Sequence, residues 1–288
     1  MIGWFTMERL IRMIRNKANM SQEQFANALG TTALSINRWE NGKTVPNKMA
    51  QAQLCEFCKT HNIDLFDFIV QQVKFEADDK RLVVYHGSKK GIEGDIAPIS
   101  RNHCDFGRGF YLGTDSSQPL TLICDENKPK FYTLKFDLTG LKVLDVKVGI
   151  EWAMLIAYYR GYMNDVKDTA VYNKYAKMAE GYDVIRGYIA NDRMYQVMKR
   201  FFEKEITDVA IINSLSVLDL GEQYVCVTEK ACKQLEIVSV KELSALELSI
   251  LREKSIARRE EGIAKTEEVL VKYRREGKYF DEILRGEI

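Results

Sequence analysis

The hydrophobic period of this chain changes once, across the short charged stretch FEADDKR at residues 75–81, and that change restricts the folds open to it. Before it, residues 7–75 read as short helical segments punctuated by Gly, Asn and Pro. After it, from residue 80 to about 240, β-branched runs mix with helical ones. With 288 residues the chain exceeds one typical domain, so the change reads as a boundary. The expectation is an all-α domain over 1–75, an α+β domain over 80–243 and a charged helix over 244–288.

Within the second region RLVVYHG predicts a strand ending at Gly87, and FYTLKFDLTGLKVLDV predicts two strands hinged at Thr139 and Gly140. Residues 149–180 and 191–205 have helical spacing. DVAII, GEQYVCVTEK and LEIVSVKEL return to strand patterning around one short helix. Strands clustered in this way, without regular alternation with helices, exclude a doubly wound parallel sheet. In the run from Ser244 to about Tyr279, Leu246, Leu248, Ile250 and Leu251 are placed to dock on a core; the rest forms either a solvated helix or a partner helix.

Hydrophobic residues make up 46% and charged residues 29%, the balance of a globular chain with a core. A formal charge of +1 supplies no global attraction to nucleic acid, so any DNA contact must come from a local patch. The first twenty residues are amphipathic and basic, with no long apolar stretch, which implies a cytoplasmic protein without a membrane segment. Cysteines at 55, 58, 104, 124, 226 and 232 have no framework spacing and are expected as reduced thiols. Cys55, Cys58 and His61 lack a fourth ligand nearby, so no metal site is expected.

In SQEQFANALGTTALSINRWENGKTVP, residues 21–46, Ser21 and Gln24 form a capping pattern for a helix expected to bury Phe25, Ala28 and Leu29. Gly30 permits the turn into a second helix whose buried face is drawn from Leu34, Ile36 and Trp39. The stretch closely resembles the Cro and phage-repressor (XRE) type helix-turn-helix over about the first 70 residues. That resemblance implies that Gln22, Thr32, Ser35 and Asn37 read bases or backbone, and that Arg38, Asn41 and Lys43 lie near phosphates. Residues 1–73 hold eight Lys plus Arg against six Asp plus Glu, a local charge of only +2, so a two-part site bound by a homodimer is the expected remedy. A protein-protein adaptor is the alternative use of such a module.

Two further phrases, VVYHGSKKG at 83–91 and DFGRGFYLGTD at 105–115, resemble the first two motifs of the diphtheria-toxin and poly-ADP-ribose-polymerase type ADP-ribosyltransferases, the H-Y-E class. The region 80–240 as a whole also resembles a bacterial family catalogued as a domain of unknown function. The resemblance implies a split-sheet ADP-ribosyltransferase-like domain that takes NAD as its substrate. His86 would bond a ribose hydroxyl, Gly87 would admit the nicotinamide amide, Ser88 would add a hydrogen bond, and Tyr111 would stack on the ring. Phe106, Gly107 and Arg108 would form the turn, with Arg101 or Arg108 pairing the pyrophosphate.

The third motif departs from the pattern, because Gln223 holds the position of the family's glutamate, with Glu222 directly before it. Strand alternation sends Glu222 and Gln223 to opposite faces, and the alignment puts Gln223 inward. Asp192 is a second candidate carboxylate, with a plain helix cap as its other reading. The implied activity is mono-ADP-ribosyl transfer by a toxin or phage-defence type effector with its own DNA-binding domain, checked by an antitoxin or immunity protein. An NAD glycohydrolase and a non-catalytic sensor of NAD or ADP-ribose that regulates transcription are the alternatives.

Overall fold

The computed structural model describes residues 7–77, 79–189, 192–216, 221–273 and 276–286, the side chains of 192–196 and 216 excepted. Five helices come first: α1 (Met7–Lys17), α2 (Gln22–Ala28), α3 (Ala33–Glu40), α4 (Lys48–Thr60) and α5 (Phe66–Gln72). Then follow β1 (Leu82–Ser88), β2 (Phe110–Gly113), α6 (Ser117–Leu122), β3 (Lys130–Phe136), β4 (Val143–Asp145), α7 (Ile150–Arg160), a 3-10 turn at Asn164–Val166 and α8 (Ala170–Lys177). The chain continues through β5 (Val184–Tyr188), α9 (Asp192–Phe202), α10 (Asp208–Ser216), β6 (Glu222–Cys226), α11 (Glu229–Cys232) and β7 (Leu235–Glu242). It ends in α12 (Ala245–Tyr273) and α13 (Phe280–Arg285). The result is a helical helix-turn-helix region followed by a mixed α+β domain.

Local chemistry accounts for the amino-terminal helices. Ser21 and Gln24 close a full capping box on α2, Gly30 turns at φ +59°, and the Thr32 side chain caps α3. The buried faces follow the sequence expectation except at Ala28. On α2 the buried residues are Phe25 and Ala26 with Leu29 behind them, and Ala28 is exposed. On α3 Ile36 and Glu40 are buried and Trp39 is half-buried, whereas Leu34 is 60% exposed. A helix turning 100° per residue cannot bring Leu34 to the side of Ile36, two positions on. Glu40 tolerates burial because Arg15 pairs with it at 2.6 Å and Gln22 Nε2 donates to it.

A seven-stranded sheet with the order β4-β5-β6-β2-β1-β3-β7 forms the centre of the second region. Only β4 and β5 run parallel among the paired strands. The two strands hinged at Thr139 and Gly140 are therefore far apart, with β3 between β1 and β7 and β4 at the opposite edge. DVAII, expected as a strand, lies in α10. Its apolar residues recur at helical spacing, Ala210, Ile211 and Leu215 being buried with Ser214, and Thr207 Oγ1 accepts from Ala210 N at its start. The helical stretch expected over 149–180 breaks at Gly161, whose left-handed φ of +86° ends α7.

One face of the sheet packs on a cluster of α7, α9, α10 and α13 residues, including Trp152, Phe201 and Phe280. The other face joins Val84, Phe110, Leu112, Tyr132 and Tyr224 to Cys232 of α11. A third cluster unites the two regions of the chain. Phe25, Leu54, Phe57, Phe66 and Ile69 of the helical region share it with Tyr85, Phe131, Leu120 and Ile123, and with Leu246, Ile250 and Leu251 of α12. The expected docking of these α12 residues is thus onto a core built from both regions, with Leu248 packed at its border. At 29 residues α12 is about 44 Å long. It pairs Glu253 with Lys59 of α4 near its start and Glu267 with Arg200 of α9 near its end.

Cys58 is buried in α4, which pushes its thiol up to about 12, and the His61 ring stacks on Phe57 with Nδ1 3.0 Å from Phe57 O. Among the described residues no helix is long and apolar enough to cross a membrane.

Candidate functional site

Strands β1 and β2 meet at a single register pair, Tyr85 opposite Gly113, while on its other side β1 pairs with β3 along its whole length from Leu82 to Ser88. Beyond Tyr85 the first two strands diverge. The imidazole of His86 reaches across this opening, with Nδ1 2.8 Å from Tyr111 O. A carbonyl oxygen only accepts, so Nδ1 carries the proton. Burial pushes the imidazole pKa down, outweighing the Tyr111 carbonyl, and the ring is neutral at pH 7. Its Nε2 is then an acceptor lone pair with no hydrogen bond among the described residues. The ring stacks on Phe110 at 4.3 Å and lies tilted to Tyr132, so two aromatic neighbours fix its plane.

Tyr111 leaves β2 on the opposite face from Phe110 and packs against the Trp152 cluster. Its hydroxyl donates to Gly107 O at 2.7 Å and accepts from Phe106 N at 3.0 Å, closing the loop that precedes β2. Burial raises its pKa, so the phenol stays protonated. Gly107 holds a left-handed φ of +72°, and a Cβ there would lie 2.6 Å from the Tyr159 ring. Asp105 is buried and receives Arg160 Nε at 3.0 Å, which ties this loop to the end of α7. The Phe106 ring, 1% exposed, lies on Gly187 of β5. A Cβ at Gly187 would meet Phe106 Cζ at 2.5 Å, so Gly187→Ala is expected to cost about 1–3 kcal/mol. An unchanged urea midpoint for this variant would contradict the packing described.

On β6, Gln223 faces the side of Tyr111 and Val225, as strand alternation requires, while Glu222 lies on the side of Tyr224. Gln223 stands between Gly113 and Gly187 in the ladder and is 4% exposed; its Nε2 donates to Tyr188 O at 2.9 Å. Register pairs Tyr111 with Val225, so Tyr111 and Gln223 are diagonal neighbours about 7–8 Å apart. Glu222 accepts two hydrogen bonds of 2.9 Å from Arg186. The Asp192 reading lies outside the described residues, since α9 begins there without a described side chain.

The remaining residues have local duties. Ser88 Oγ accepts from Gly91 N, Arg108 Nε donates to Pro98 O, and Arg101 is exposed. Gly87 is crossed by α6, whose Pro119 O would lie 2.8 Å from an added Cβ. Helix packing therefore accounts for that glycine, and any ligand contact falls to its backbone groups. Sequence reasoning passed over the start of α6, where Ser116 Oγ and Gln118 Oε1 are buried with no hydrogen-bond partner among the described residues. The TDSSQP run after β2, dense in small polar side chains, was the available signal.

In the helical region Thr32 Oγ1 lies 2.9 Å from Ser35 Oγ and accepts from Ser35 N. Asn37 Nδ2 donates to Gln22 Oε1 at 3.4 Å. Four of the residues expected to read DNA are thus bonded to one another in pairs, whereas Arg38 and Lys43 are exposed.

These features define a DNA-binding helix-turn-helix module joined to a mixed-sheet domain, and residues 11–60 match the helix-turn-helix family. The chain belongs to the family described as a protein of unknown function, DUF3990, which matches residues 82–237 of the 288. No curated protein matches the chain, and no solved structure does.

Proposed function

We propose that the sheet domain binds NAD at the opening between β1 and β2 and breaks its nicotinamide-ribose bond, and that the helix-turn-helix brings this activity to, or represses it from, an operator. The neutral His86 held in that opening carries the reading. Its Nε2 lone pair suits a ribose hydroxyl donor, and its Nδ1 bond to Tyr111 O fixes the tautomer that leaves Nε2 open. Among the described residues Ser116 Oγ and Gln118 Oε1, at the start of the helix that crosses Gly87, have no hydrogen-bond partner, which supports a polar ligand on that side of β1, because a buried polar atom without a partner costs about 1–3 kcal/mol.

In the reaction the bond between ribose C1′ and the nicotinamide nitrogen breaks, its electron pair leaving with nicotinamide. Water or an acceptor nucleophile then bonds C1′ and loses a proton. Gln223 is the polar side chain of β6 on the Tyr111 face; its amide N–H is taken by Tyr188, so its oxygen remains to orient a hydroxyl. A neutral amide lends no full charge to the oxocarbenium ion, which favours hydrolysis over acceptor activation. The toxin or defence role, with a neutralising partner protein, extends this reading.

Three variants test it. Gln223→Glu is expected to keep NAD binding and shift the balance between hydrolysis and transfer, Gln223→Ala to impair both, and Glu222→Gln to change little. Nicotinamide release and acceptor labelling, measured for each, decide the matter. A dead Glu222→Gln beside an active Gln223→Ala would put the working carboxylate on the other face.

A further inference from the structure

The amino-terminal turn of α3 is the part of a helix-turn-helix that meets base edges in the major groove. Here its polar groups are engaged: Thr32 and Ser35 bond each other, and Asn37 is held by Gln22. What stands out from this turn is apolar. Ala33 is exposed, and Leu34 is 60% exposed on a helix that buries Ile36 completely. A single exposed leucine is ordinary on a protein surface. One at the second position of a recognition helix faces a groove whose only apolar group is the 5-methyl of thymine.

We infer that Leu34 packs on a thymine 5-methyl group and makes that thymine a required base in each half of the operator. The inference rests on the reading of α3 as the DNA-reading helix. Arg38, exposed one turn further along, shares the Leu34 face but is charged, which leaves Leu34 as the apolar side chain there that can separate T·A from C·G by contact with a methyl group. Burial of one methyl against leucine corresponds to about a fourfold change in affinity.

Full-length protein is used to select duplexes from a random-sequence library, and each thymine in the selected site is then replaced by uracil, which removes only the methyl. For the wild type, one thymine per half-site is expected to lose about fourfold in affinity on replacement. Leu34→Ala is expected to bind the thymine and uracil duplexes equally at that position while keeping any penalty elsewhere, with little change in thermal unfolding because Leu34 belongs to none of the hydrophobic clusters of the described residues. An equal uracil penalty in both proteins, or a selected site without a fixed thymine, overturns the assignment while leaving α3 a DNA reader. So does a change of molar mass in Leu34→Ala with its thymine preference intact, which would make Leu34 a protein contact. Failure of the wild type to prefer any duplex overturns the reading of α3 and this assignment with it.

Discussion

His86→Ala is expected to lower nicotinamide release by about 10²- to 10³-fold, the usual loss when one positioned contact to the reacting group is removed. The substitution deletes both nitrogens, so Tyr111 O loses its donor across the strand opening and the proposed ribose contact loses its acceptor. His86→Phe separates these effects from packing, because it preserves the stack on Phe110 at 4.3 Å while removing the hydrogen bonds. Both variants should stay folded, since the ladder from β1 to β3 does not depend on the side chain. Turnover at the wild-type rate by either, with unfolding curves that overlay the parent, would remove His86 from the site.

Leu251→Ala is expected to cost about 2–5 kcal/mol, although Leu251 lies in neither motif. The residue is fully buried in the cluster that joins helix-turn-helix residues such as Phe57 to sheet residues such as Tyr85 and Phe131. The cavity should therefore weaken both regions, and calorimetry should show one transition moved down by roughly 3–8 °C with no early separate step. Two transitions, of which only one moves, would mean that the regions are independent and the shared core contributes little. The same packing bears on fragments: residues 1–75 alone would expose the sides of α4 and α5 that α12 covers.

What the sequence disclosed depended on whether local chemistry or long-range packing decided the outcome. The Ser21 and Gln24 box and the Gly30 turn are local, and both are legible in a few residues. The strands over 82–88 and 222–226 were equally plain, because β-branched and aromatic residues are concentrated in them. DVAII was misread since its β-branched residues suit a strand, while the helical spacing of Ala210, Ile211 and Leu215 becomes clear only when the residues after them are counted in. β5 was not among the expected strands, and the glycine within it admits the Phe106 ring, a contact across 81 positions of sequence. For the site, alternation correctly separated Glu222 from Gln223. It gave no warning that His86 leaves β1 on the Phe110 side and comes to Tyr111 only because the strands part. Nor did the motif reading show that Gly87 and Phe106 have packing duties that would hold them in place with no ligand at all.

The account stands or falls on whether the purified full-length protein consumes NAD. Incubation with NAD labelled in the nicotinamide ring and, separately, in the adenosine, followed by chromatography and mass spectrometry, follows both halves of the molecule. The account predicts release of free nicotinamide together with ADP-ribose, or its attachment to an acceptor when cell lysate is added, and loss of both in His86→Ala. NAD recovered intact under the same conditions, whether or not it binds and alters the protein's hold on DNA, would contradict it.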